Sequence, residues 1–195
     1  MTNNDVDYIL QISNRQQLRQ WLKDNYDKAK YCWIITTRVN EQKSLFNTIN
    51  YLDAIEEALC FGWINETAKP ISNTQLIQCL IPRNKRAWSE LDKERYRRLE
   101  KLGLMTKAGK KTFFNANQKS FKVDKKIIKI IKSDPQVVKH IYSFPDLYLR
   151  IKLDNIQSKR KQPKLFHARL NKFMKNTRIG KMYGNWNDNG RLINY

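Results

Sequence analysis

Few residues in this sequence have the type and spacing that chemistry needs. The stretch EEALCFGWIN, residues 56–65, sets Cys60 beside a glycine and two aromatics where an acidic helix would end. A nucleophilic cysteine needs a cation, a histidine or a helix N-terminus to lower its pKa. Cys60 instead follows Glu56 and Glu57 and falls near a helix C-terminus, where the dipole disfavours thiolate. It reads as a small buried hydrophobe beside Leu59. Trp63 and Asn65, which start the strand beyond it, are expected to be exposed.

Three further clusters point to anions rather than to a reaction. In PRNKRAWS, residues 82–89, Arg83, Lys85 and Arg86 precede Trp88 at the start of a helix. Guanidinium groups and helix N-termini bind anions, and tryptophan offers a stacking face. An anionic, planar small molecule would fit Trp63, Asn65, Arg83, Arg86 and Trp88. The competing reading is a solvated basic loop whose tryptophan packs inward. The stretch KVDKKIIKIIK carries Lys122, Lys125, Lys126, Lys129 and Lys132 along one amphipathic helix, a surface for a polyanion such as nucleic acid. At the chain end, GKMYGNWNDNGRLINY brings aromatics where a terminus is usually polar. It is expected to dock on the body, with Trp186, Asn187 and Arg191 either walling a pocket or simply packing.

Other chemistry finds no pattern. Paired carboxylates, a GxSxG elbow, a phosphate-binding glycine loop and a dinucleotide fingerprint are missing from the sequence, so no residue is given a catalytic role and no cofactor is expected. Cys32, Cys60 and Cys79 are irregularly spaced and far from His140 and His167, which argues against a metal site. No apolar run approaches the roughly 18 residues of a membrane span, and the start lacks the pattern of a signal peptide. Three cysteines in no disulfide pattern then suggest the cytoplasm.

Charge sets the partner class. Residues 1–80 carry 8 Lys/Arg against 9 Asp/Glu, whereas residues 81–195 carry 30 against 9. The whole excess of +20 therefore lies in the second part. Such a field favours nucleic acid or another acidic partner. Compositional drift towards lysine is the alternative, although drift would raise lysine in residues 1–80 too.

The elements that must position these residues follow from caps and periodicity. Asn14 or Ser13 caps a helix to about 25, and YCWIITTRV, 31–39, reads as a strand. Asn50 caps a helix that ends at Gly62, and residues 62–81 read as a hairpin turning near 70–73. Ser89 caps a helix ending at Gly103, and a short helix follows at about 106–115. Residues 115–121 are the loop-rich stretch. The amphipathic helix around 123–132 comes next, and then Pro135, Pro145 and Pro163 each open a helix. The fold class is α+β. A small antiparallel sheet with helices occupies 1–82, and a basic multi-helix part occupies 83–195, with either a core each or one shared core. The spacing does not fix the oligomeric state.

YLDAIEEALCFGWIN, PRNKRAWSELDKERYRRL and GLMTKAG together resemble the YdeI/OmpD-associated family, also labelled bacteriocin-protection. The resemblance covers roughly residues 50–195, and the end of the chain resembles a low-GC Gram-positive branch. It implies a link to antimicrobial-peptide tolerance and brings no reaction with it. Asn65 stands where that family's motif carries Asp. The helix-then-hairpin pattern at 50–81 is also similar to small α+β folds of the YjbR kind.

Overall fold

In the computed structural model, residues 9–38, 47–83, 88–113 and 121–195 are described. Arg86, Lys85 and nearly all of the loop-rich stretch 115–121 lie outside them. The chain divides into two compact units, one of Met1–Arg86 with Arg95–Asn115 and the other of Ala87–Glu94 with Ala116–Tyr195.

The first unit is built around strand β2, Cys32–Thr37, whose CWIITT run is buried almost throughout. A run without polar alternation marks a strand covered on both faces. β2 pairs antiparallel with β5, Gln75–Pro82, and β5 pairs antiparallel with β4, Trp63–Pro70. This part is the expected antiparallel sheet. Two-residue strands β1, Ile9–Leu10, and β3, Ile49–Asn50, add parallel pairings to β2. The β4–β5 turn is tightened by Ser72, whose hydroxyl accepts from the backbone amides of Thr74 and Gln75.

Helix α1, Arg15–Asn25, starts at Asn14, whose side chain accepts from the Gln17 amide. Helix α2, Tyr51–Cys60, starts at Asn50, and Gly62 follows it at φ +78°, the left-handed region that stops a helix. α2 buries Ala54, Ala58 and Leu59, and also Glu56 and Glu57. Those carboxylates need cations to stay ionised in the interior. Arg15 meets Glu56 at 2.7 Å and Glu57 at 2.8 Å, Arg19 meets Glu57 at 2.8 Å, and Arg98 meets Glu56 at 2.8 Å.

Two more helices complete this unit. Helix α3, Glu90–Lys101, starts at Ser89, whose hydroxyl accepts from the Asp92 amide at 3.1 Å; residues from Arg95 onward belong to the first unit. Helix α4, Lys107–Lys111, is capped by Thr106. The Thr106 hydroxyl and amide both donate to the Cys60 carbonyl, at 2.6 and 3.1 Å. α4 comes so close to α2 that a Cβ on Gly109 would collide with the Cys60 carbonyl oxygen.

The second unit is helical beyond Glu94. Helices α5, Lys125–Lys132, and α6, Pro135–Ile141, are capped by Asp124 and Asp134. Helix α7, Asp146–Gln157, follows Pro145, which occupies the cap position, and helix α8, Pro163–Arg178, opens on its proline. The core holds Ile127, Val137, Tyr148, Ile156 and Phe173. The chain end packs against it as expected: Tyr183 and Trp186 meet Tyr148 edge-on, and Leu192 is buried.

Candidate anion-binding surface

The positions expected around Cys60 are placed first. Burial, with the charge of Glu57 next, pushes the Cys60 thiol up to about 12, and Cys32 is pushed up to about 12 chiefly by burial. A thiolate at Cys60 is therefore disfavoured on the side of the molecule where one was considered. Trp63 is not an exposed stacking face: it is 1% exposed, its Nε1 donates to the Tyr26 carbonyl at 3.0 Å, and its ring meets Trp21 edge-on. Trp63 sits opposite Pro82 in the hairpin, and this register carries a large ring into the core. Asn65 is half-buried and accepts from Gln78 at 3.4 Å across the same hairpin. Arg83 is buried, and its amide donates to the Gly62 carbonyl. Arg86 lies outside the described residues. Trp88 belongs to the second unit and is half-buried.

Trp186 lines a pocket of about 350 Å³ with Arg150, Glu94 and Leu192. Arg150 in that pocket is already matched to Glu90 at 2.8 Å and Glu94 at 2.7 Å, and the Tyr195 hydroxyl donates to Glu94. The pocket therefore has no surplus charge at Arg150. Arg191 is half-buried, and its amide donates to the Asp188 carbonyl.

The lysine surface has a different balance. Lys122, Lys125, Lys126, Lys129 and Lys132 are all exposed. Residues 116–195 contain five aspartates and no glutamate. Asp124 and Asp134 cap α5 and α6, and Asp146 stands in the first turn of α7. Asp154 accepts from the Glu90 amide at the start of α3, and Asp188 is buried. Helix starts hold the donors and the positive dipole end that carboxylates neutralise. Two of the five also meet arginines, Asp124 with Arg160 and Asp134 with Arg178. Among the described residues, none of the 13 lysines from Lys122 to Lys181 forms an ion pair.

One arrangement within this surface has no counterpart in the sequence reading. Lys152 of α7 places its Nζ 4.2 Å from the Tyr183 ring centre, and Lys172 of α8 places its own 5.1 Å from the same ring. Lys152 is also 5.7 Å from the Tyr148 ring, four residues earlier on α7. Burial, then repulsion from Lys172, lowers the Lys152 pKa to about 8. The Tyr148 side chain is fully buried, and burial pushes its hydroxyl up to about 12. The Tyr148–Lys152 spacing was the one signal in the sequence; the approach of Lys172 and Tyr183 depends on tertiary packing.

Fold and surface together define an α+β protein with a lysine-faced helical unit. Over residues 10–112, just over half of the chain, it matches the domain of unknown function DUF8412, and it belongs to that family. The match overturns the resemblance to the YdeI/OmpD-associated family. The stretches that suggested that resemblance have a structural account here: ALCFG ends α2, and MTKAG supplies the cap and the glycine that close α4 upon it. No curated protein and no solved structure matches the chain.

Proposed function

We propose that the protein binds a polyanion, a nucleic acid in the first place, through the lysine-bearing faces of its second unit. One observation carries this reading: the aspartates of residues 116–195 are taken up by helix starts and a buried turn, while 13 lysines there have no carboxylate partner among the described residues. A field so little compensated attracts phosphate backbones and releases their counterions. The burial of Trp63 counts against the alternative, an anionic planar molecule stacked beside Arg83 and Trp88. No described helix is long and apolar enough to cross a membrane, and the three cysteines are free and buried. A reducing compartment suits such thiols, and we assign the protein to the cytoplasm. The antimicrobial-tolerance link rested on the overturned resemblance and is dropped.

Fluorescence anisotropy with labelled single- and double-stranded DNA and RNA, between about 50 and 200 mM salt, tests the reading. Affinity is expected to fall steeply, with a slope of about −0.9 per phosphate neutralised on duplex DNA. Replacing Lys125, Lys126, Lys129 and Lys132 by glutamine should flatten that slope. No binding at the lowest salt would overturn the proposal and leave compositional drift as the source of the charge.

A further inference from the structure

Two ammonium groups share one tyrosine ring in the second unit, and among the described residues no carboxylate pairs with them. Several partly buried arginines are matched to acids: Arg15 and Arg98 to Glu56, Arg150 to Glu90 and Glu94. The half-buried Lys152 and the exposed Lys172 are not. Neither forms an ion pair among the described residues, although they lie close enough for Lys172 to weaken the hold of Lys152 on its proton. Like charges in a partly desolvated place repel, and an anion between them removes the repulsion and gains two charge-assisted hydrogen bonds.

Glycine backbone and a further cation border this place. Gly184 stands at φ +72°, and a Cβ there would come within 2.8 Å of the Lys152 Nζ. Arg169, held by the Asn155 carbonyl at 2.7 Å, brings a third positive charge towards Tyr183.

We propose that Lys152 and Lys172, whose ammonium groups both stand over the Tyr183 ring, form a seat for a single phosphate group. A tetrahedral oxyanion has separate oxygens for two ammonium groups, whereas a carboxylate offers one plane. The phosphate is either a free phosphate ester or one backbone phosphate of a nucleic acid. The proposal rests on the polyanion reading and names one point on that surface where a phosphate is held rather than merely attracted.

Calorimetric titration of the full chain with pyrophosphate and with a single-stranded oligonucleotide tests it. Three proteins are compared: wild type, the double variant Lys152→Met with Lys172→Met, and a control with Lys125→Gln and Lys129→Gln. Methionine keeps the apolar stems, and a melting curve confirms that each variant is folded. The double variant is expected to lose about tenfold or more in affinity for pyrophosphate, the loss of charge-assisted hydrogen bonds. The control removes two lysines of the polyanion surface and should weaken oligonucleotide binding. A matching loss for the oligonucleotide assigns the seat to a backbone phosphate; a loss confined to pyrophosphate assigns it to a free ester. If the double variant binds both probes like wild type while the control loses the oligonucleotide, the seat is refuted and the polyanion reading stands. If wild type binds neither probe, both are refuted.

Discussion

Lys152 shows how far a single side chain departs from its sequence context. Its pKa of about 8 has burial as the larger cause and the ammonium of Lys172 as the smaller. The charged or titratable groups around it are Tyr148 on its own helix, Lys172 and Arg169 on α8, and Tyr183 in the final segment. An ordinary lysine near 10.4 is almost wholly protonated at pH 7, whereas about a tenth of a lysine at 8 is neutral and nucleophilic. Trace acylation at pH 7 followed by peptide mass spectrometry should therefore label Lys152 ahead of the exposed Lys125 and Lys129. Pyrophosphate should suppress that labelling, because a bound anion holds the proton on. Equal labelling of all three lysines would contradict the lowered pKa. Cys60 departs in the opposite direction from a nucleophile, and here two glutamates before it and no histidine nearby already argued against a stabilised thiolate.

At the scale of elements, most helix starts were legible because a cap is a local event. Asn14, Asn50, Ser89 and Asp134 each accept from a backbone amide within three residues. Pairings that depend on distant residues were not legible. β1 and β3 are two residues long, too short to leave a periodic trace, and the salt bridges of Glu56 and Glu57 join residues about forty positions apart. Trp63 was misplaced for a related reason: which face of a strand turns inward depends on its register, and register is set by the partner. The α2–α4 contact is the element-scale feature most open to test. Gly109→Ala would drive a methyl group into the Cys60 carbonyl, and overpacking of this kind costs typically 1–3 kcal/mol. Gly103→Ala is the control; it strains the backbone at φ +70° but meets nothing within 4 Å. For a chain of this size each kcal/mol moves the melting midpoint by roughly 2–4 °C. Gly109→Ala is expected to lower the midpoint by several degrees, and more than Gly103→Ala does. An equal or smaller loss would mean that α4 can retreat from α2 at little cost.

For the whole molecule, the sequence located the charge and left its arrangement open. It put the entire positive excess after residue 80, and the composition of residues 116–195 could be counted directly. The positions of the aspartates could not be counted in that way. Their assignment to helix starts turns a compositional bias into an uncompensated surface. The α+β class was readable from caps, proline positions and a β-branched run, whereas the family resemblance, carried by three stretches between residues 51 and 109, is overturned by the family match over residues 10–112. The chain end is part of this scale, since Tyr183, Trp186 and Leu192 contribute to the second unit's packing. Burial of large apolar side chains is worth roughly 1.5–3 kcal/mol each. Deleting residues 183–195 should lower the melting midpoint by at least several degrees or leave the protein insoluble. An unchanged midpoint with full solubility would show that the segment contributes nothing to stability.

The closure of α4 upon α2 also has a consequence in time. A ribosome delivers Cys60 long before it delivers Thr106 and Gly109, the residues that cover its carbonyl. Until those later codons are read, the last turn of α2 stands open, with Glu56 still lacking Arg98. The first unit is thus finished by translation of its final twenty or so residues, and every nascent chain passes through an interval in which its most buried helix is a target for chaperones or for its neighbours on the polysome.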